Sequence, residues 1–138
     1  MVLRNSIGEP IFLACRSLSL CADPLDAELA ACEEGIQLAL GWCSQSFVIE
    51  TDSADAIALT EDRNSNLSRY CHRVSAIRRM MLTRPGISLV KIARDQNNVA
   101  HILANVGRSE KCTTCWLGEK PQFAVGALCN DCNIFHDE

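Results

Sequence analysis

The order of segments predicts an α/β sandwich built on a mixed sheet. Two short apolar strands open the chain, an amphipathic helix follows, and strand and helix then alternate to the end of the patterned region. The strand FVIETD, with consecutive apolar residues, indicates cover on both faces, as in a parallel arrangement.

Taken in order, Val2–Arg4 and Ile11–Ser19 are expected as a hairpin around Gly8. Asp23 and Pro24 then supply an N-cap and a first helical residue. Leu25, Leu29, Cys32, Ile36 and Ala39 recur at helical spacing, and Gly41 marks the end. Phe47–Asp52 is the next strand, and Ser53 caps a short helix over Ala54–Leu59. Glu61–Asn66 is polar and expected as a loop. A longer helix from about Leu67 to Leu82 buries Leu67, Tyr70, Cys71, Val74, Ile77 and Met81, and Pro85-Gly86 stops it. Ile87–Ala93 is a further strand. Asn97 or Asn98 caps a last helix to about Val106, closed by Gly107.

With 138 residues and 48% hydrophobic content, the chain is expected to form one domain with a short appendage. Aromatics make up only 5%, so the core must rest on aliphatic residues. No apolar run approaches the ~18 residues of a membrane span. The start, MVLRNSIGEP, lacks a signal-peptide pattern, so an intracellular location, cytoplasm or nucleus, is expected. In a reducing compartment the nine cysteines default to thiols, and Cys15, Cys21, Cys32, Cys43 and Cys71 have the apolar neighbours of small core residues.

The net charge of −4 conceals an asymmetry. Residues 1–62 carry eleven acids against two bases (−9), residues 63–111 ten bases against two acids (+8), and residues 112–138 one base against four acids (−3). Bulk charge argues against indiscriminate nucleic-acid binding, while a local basic surface exists over Arg63–Arg84, with six arginines and no acid.

Two carboxylates stand out. Glu28 lies about 60° around the helix from Leu25, on the margin of the apolar stripe. Asp52 closes a strand at a strand-to-helix junction, where α/β folds place ligands. Together they suit Mg²⁺, a hard cation that takes one or two carboxylates with waters and phosphate oxygens. The alternative for Glu28 is a solvated helix residue, and for Asp52 a turn or cap residue.

The segments ADPLDAELAACEEGIQLAL, FVIETDSADAIAL and RDQNNVAHILANVGRS resemble, in that order, the ribonuclease H fold. More narrowly, Met1–Ser109 is similar to the reverse-transcriptase-like RNase H family of retroelement origin, abundant in plant genomes. The motifs are an A-E-x-x-A helix, a strand ending E-T-D and an R-x-x-N-x-x-A-x-x-L-A helix. The resemblance implies a ribonuclease H-like mixed sheet flanked by helices, and a nuclease that cuts the RNA of RNA–DNA hybrids with Mg²⁺ or Mn²⁺. It assigns Glu28 and Asp52 as catalytic and metal-holding carboxylates, and Arg94 and Asn97 as residues shaping the neighbouring loop. Two departures follow. The opening strand and its aspartate are missing, because no acid precedes Glu9, and His101 stands in A-H-I-L-A where the pattern has a carboxylate. Two metals about 4 Å apart need several carboxylates. Glu28 and Asp52 alone imply one weakly held ion, with hybrid cleavage weak or lost. The chain is thus expected as an N-terminally truncated domain, 1–109, and a tail, 110–138.

Arg69, Arg73 and Arg78 (with Arg79) could track the phosphates of a hybrid or of RNA. Alternatively they are solvated, or salt-bridged to the acidic first half. With only Tyr70 among them, a base-stacking platform is not expected. In the tail, Cys112-x2-Cys115 and Cys129-x2-Cys132 have the paired spacing of a zinc site, or are four unrelated thiols. A missing opening strand would leave an unprotected sheet edge open to another chain. A non-catalytic module that binds nucleic acid or a protein is the competing function. Oligomeric state is not legible.

Overall fold

The computed structural model describes residues 1–18, 20–64 and 69–133, with side chains to Asp131. Ser19, the expected end of the second strand, lies outside the described residues. So do residues 65–68, where the long helix was expected to begin.

By internal contacts the chain falls into two compact units, Met1–Ser19 with Ala93–Glu138, and Leu20–Ile92. The first unit contains β1 (Val2–Arg4), β2 (Pro10–Cys15), α4 (Asn98–Glu110), β5 (Thr114–Leu117) and α5 (Gln122–Asn133). The second contains α1 (Pro24–Trp42), β3 (Val48–Thr51), α2 (Ala54–Glu61), α3 (Cys71–Leu82) and β4 (Ser88–Lys91). Both are α/β, so the predicted class holds. Parallel and antiparallel pairings are both present, distributed between two sheets. Among the described residues no helix is long and apolar enough to cross a membrane.

In the first unit the expected hairpin forms, with Val2 opposite Leu13 and Leu3 opposite Phe12. The three-stranded antiparallel sheet runs β1-β2-β5, because Phe12–Cys15 pairs with Thr114–Leu117. Residues beyond 110 therefore add a strand and a helix to this unit, and α5 lies on α4. Leu13, Cys15, Val99, Leu103, Ala124 and Leu128 form its core. The last helix does not close at Gly107. A Cβ there would sit 3.2 Å from the Arg16 carbonyl oxygen, so this glycine is buried mid-helix to let two backbones approach. The helix ends instead at Lys111, which adopts a left-handed conformation (φ 50°).

In the second unit α1 starts as predicted, with the Asp23 side chain accepting from the Asp26 amide at 2.9 Å and Pro24 following. Leu29, Cys32, Ile36 and Ala39 of its stripe are buried. With Ala56, Val74 and Ile77, the first three of these make the core, against which Leu25, Tyr70 and Met81 pack. β3 and β4 pair in parallel, from Val48 opposite Ser88 to Thr51 opposite Lys91. Gly86 makes the turn into β4 at φ +85°, where a Cβ would come within 2.9 Å of the Ser46 Cβ. Of the five cysteines expected in the core, Cys15 and Cys32 are buried and Cys21, Cys43 and Cys71 are half-buried.

Candidate functional site

The two carboxylate candidates of the second unit lie on elements that pack together, Glu28 on α1 and Asp52 directly after β3. Thr51, the last residue of that strand, is buried. Its Oγ1 accepts the Ser53 amide at 3.1 Å, shaping the turn that carries Asp52. Ser53 then caps α2 by accepting the Ala56 amide at 3.2 Å. The Cys32 thiol of α1 reaches the same place. Burial, and then the Glu28 carboxylate one helical turn away, push it up to about 11, while a hydrogen bond from the Thr51 hydroxyl opposes the rise. Glu28, one turn before Cys32 on α1, and Asp52, directly after Thr51 in the chain, are both half-buried, and the contact of Cys32 with Thr51 joins the two elements that carry them. The Cys32 thiol stays protonated near neutral pH, so it adds neither charge nor a thiolate ligand. Among the described residues no three His, Cys, Asp or Glu side chains cluster so as to hold a metal ion.

The arginines have partners within their unit. Arg73 donates from Nε to Asp26 at 2.6 Å and from Nη1 to Glu33 at 3.0 Å, joining α3 to α1. Arg69 pairs with Asp23 and lies over the Tyr70 ring, 4.9 Å from its centroid. Tyr70 in turn donates to Asp23 at 2.7 Å. Arg78 donates to the carbonyls of Thr60 (2.7 Å) and Leu59 (3.0 Å), and to that of Asp62, covering the C-terminal end of α2. Arg84 does the same beyond α1, at Cys43 (2.6 Å) and Gln45 (2.8 Å). Charge asymmetry along the chain is therefore partly neutralised inside this unit. Arg63 and Arg79 are exposed.

In the first unit Arg94 is exposed in a single 3₁₀ turn, Arg94–Gln96, and His101 is half-buried on α4. Asn97 occupies the position before α4 but makes no side-chain cap. Asp131 of α5 supplies the cap instead, its Oδ2 accepting the Val99 amide at 3.2 Å and the Arg4 guanidinium at 3.2 Å. Its other oxygen is buried without a hydrogen-bond partner. Nothing in the sequence singled out Asp131, because its partners lie 32 and 127 positions away.

Of the tail cysteines, Cys115 is exposed on β5, Cys129 is exposed on α5, and Cys112 packs against the core with its sulfur 3.8 Å from that of Cys15. Cys115 therefore sits in a strand, not on a knuckle turn. The Cys132 side chain lies outside the described residues.

Strands and flanking helices of this order agree with a ribonuclease H-like α/β fold. The reverse transcriptase-like family model matches residues 1–107, and the chain belongs to that family. Comparison with curated proteins and with solved structures returned no match.

Proposed function

We propose that this is a nucleic-acid-binding ribonuclease H-like domain whose hydrolytic centre is incomplete, so that cleavage of RNA–DNA hybrids is weak or lost. The observation that supports it most is the makeup of the β3 end. Glu28 and Asp52 are carried by the two elements that meet at the protonated Cys32 thiol, and in the family's helix motif His101 replaces a carboxylate. A pair of carboxylates fits one Mg²⁺ or Mn²⁺ completed by water and phosphate oxygens. Glu28 and Asp52 would hold it, and it would neutralise phosphate charge there. Two ions close together would repel without further anionic ligands, and imidazole suits softer metals.

For binding, the arginine-rich surface of the second unit meets phosphate. Arg69, Arg73 and Arg78 are the candidates from the sequence, and exposed Arg63 and Arg79 extend the field. The internal pairing of the first three favours a second reading, a module that engages a protein partner and not a hybrid.

The test is incubation of purified protein with labelled RNA–DNA hybrid and Mg²⁺ or Mn²⁺, alongside fluorescence anisotropy at low salt. We expect binding without robust cutting, and binding weakened when Arg63 and Arg79 are changed to Glu. Robust cleavage abolished by Asp52→Asn overturns the loss of activity. No binding to hybrid or RNA at low salt leaves the protein-partner reading.

A further inference from the structure

We propose that Cys15 and Cys112 form an oxidation site, a dithiol that a peroxide converts into an intramolecular disulfide joining the end of β2 to the α4–β5 connection. Their sulfurs are 3.8 Å apart, already in thiol–thiol hydrogen-bond contact. The pairing of the two strands explains the approach. Cys15 stands opposite Thr114, and the Ser17 amide donates to the Cys112 carbonyl at 3.1 Å. Cys15 and Cys112 are therefore diagonal neighbours on one face of the antiparallel ladder. Cys115, three residues further, is exposed within β5, and Cys129 is exposed on α5.

A disulfide needs the sulfurs at about 2.05 Å. Cys112 lies outside the regular strand, directly after the left-handed Lys111, so this stretch can shift without breaking the β2–β5 ladder. The roles of the two thiols differ. Cys15 is 3% exposed in the core and Cys112 is half-buried, so peroxide meets Cys112 first. Burial and the neighbouring thiol push Cys15 up, so Cys15 is the slower nucleophile and acts second, helped by its contact with the Cys112 sulfur.

The Cys112 thiolate attacks one peroxide oxygen. The O–O bond breaks, and the departing hydroxide takes a proton to leave as water, giving a sulfenic acid. The Cys15 sulfur then attacks the Cys112 sulfur. The S–O bond breaks, and hydroxide leaves as water with the Cys15 proton. Two thiols are oxidised and one hydrogen peroxide is reduced to two waters. The cross-link spans 97 positions and joins the two separate chain segments of the first unit, restricting the unfolded chain.

The experiment exposes the full reduced chain to hydrogen peroxide at neutral pH, alkylates the remaining thiols, and maps peptides by mass spectrometry. We expect two of the nine thiols to become protected, a peptide linking Cys15 to Cys112, and reversal by a thiol reductant. The melting temperature should rise by at least about 5 °C on oxidation. Cys112→Ser should abolish both the link and the rise, and Cys15→Ala provides an independent apolar control. If Cys112 ends as sulfinic acid with Cys15 still alkylatable, or links to another cysteine, the inference is overturned.

Discussion

The two units use the same pairing, arginine against aspartate, in opposite settings. In the first, Asp131 is 3% exposed and its partner Arg4 18% exposed, and the carboxylate also caps α4. In the second, Arg73 is 29% and Asp26 15% exposed, and the guanidinium is shared with Glu33. The former closes a unit assembled from the two ends of the chain, whereas the latter ties together neighbouring helices of one continuous segment. A buried pair is costly to break because the remaining charge loses its partner in a poorly solvated place. A partly exposed pair is screened by water, and its main effect is to orient the helices.

The sharpest way to break this comparison is Asp131→Ala, which takes the carboxylate away from Arg4 and the cap away from α4. We expect a loss of about 3–5 kcal/mol in urea unfolding. A loss under about 1 kcal/mol would show that the first unit does not depend on the pair.

Next in size is an effect of pH in the second unit. The Cys32 thiol is raised from 9.0 to about 11 in the folded protein, chiefly by burial, so folding favours its neutral form. Its contribution is complete below pH 9 and is lost as pH rises through about 11, amounting to about 2–3 kcal/mol. Cys32→Ala should remove this part of the alkaline slope. Unchanged slope in that variant would mean that another group sets the alkaline limb.

The smallest expected effect concerns Asp26. The Ala22 amide and then Arg73 hold its carboxyl below the usual carboxylate value of 3.8. That stabilisation is present above the ordinary value of 3.8 and is lost as pH falls from there through the lowered value of the folded protein. Asp26→Asn should therefore flatten the acid limb of a pH–stability profile and cost less than Asp131→Ala. An equal or larger cost would reverse the contrast between the units.

Much of the second unit was legible before its structure. The stripe of α1 and the Val74/Ile77 core of α3 follow from apolar residues at helical spacing, and each capping pair lies within three residues. Glu28 and Asp52 were also singled out, because helix margins and strand ends are local features. The Cys32–Thr51 contact was not, since it depends on how α1 is seated on β3. In the first unit the hairpin and α4 were legible, but TCWL is too short to announce a strand without β2 beside it. Gly107 read as a stop signal by type alone, and only the Arg16 backbone pressed against it explains a glycine inside the helix.

Up to α4 the sequence by itself determined which segments become strands and helices, and throughout it set the order of the two carboxylates and the separation of acidic from basic stretches. These are encoded by periods of two and 3.6 residues and by near-neighbour caps. Tertiary structure alone decided which charges meet, which thiols touch, and which amide Asp131 caps. Such contacts join positions as far apart as 97 and 127 residues, so they exist only once packing has brought the chain segments together.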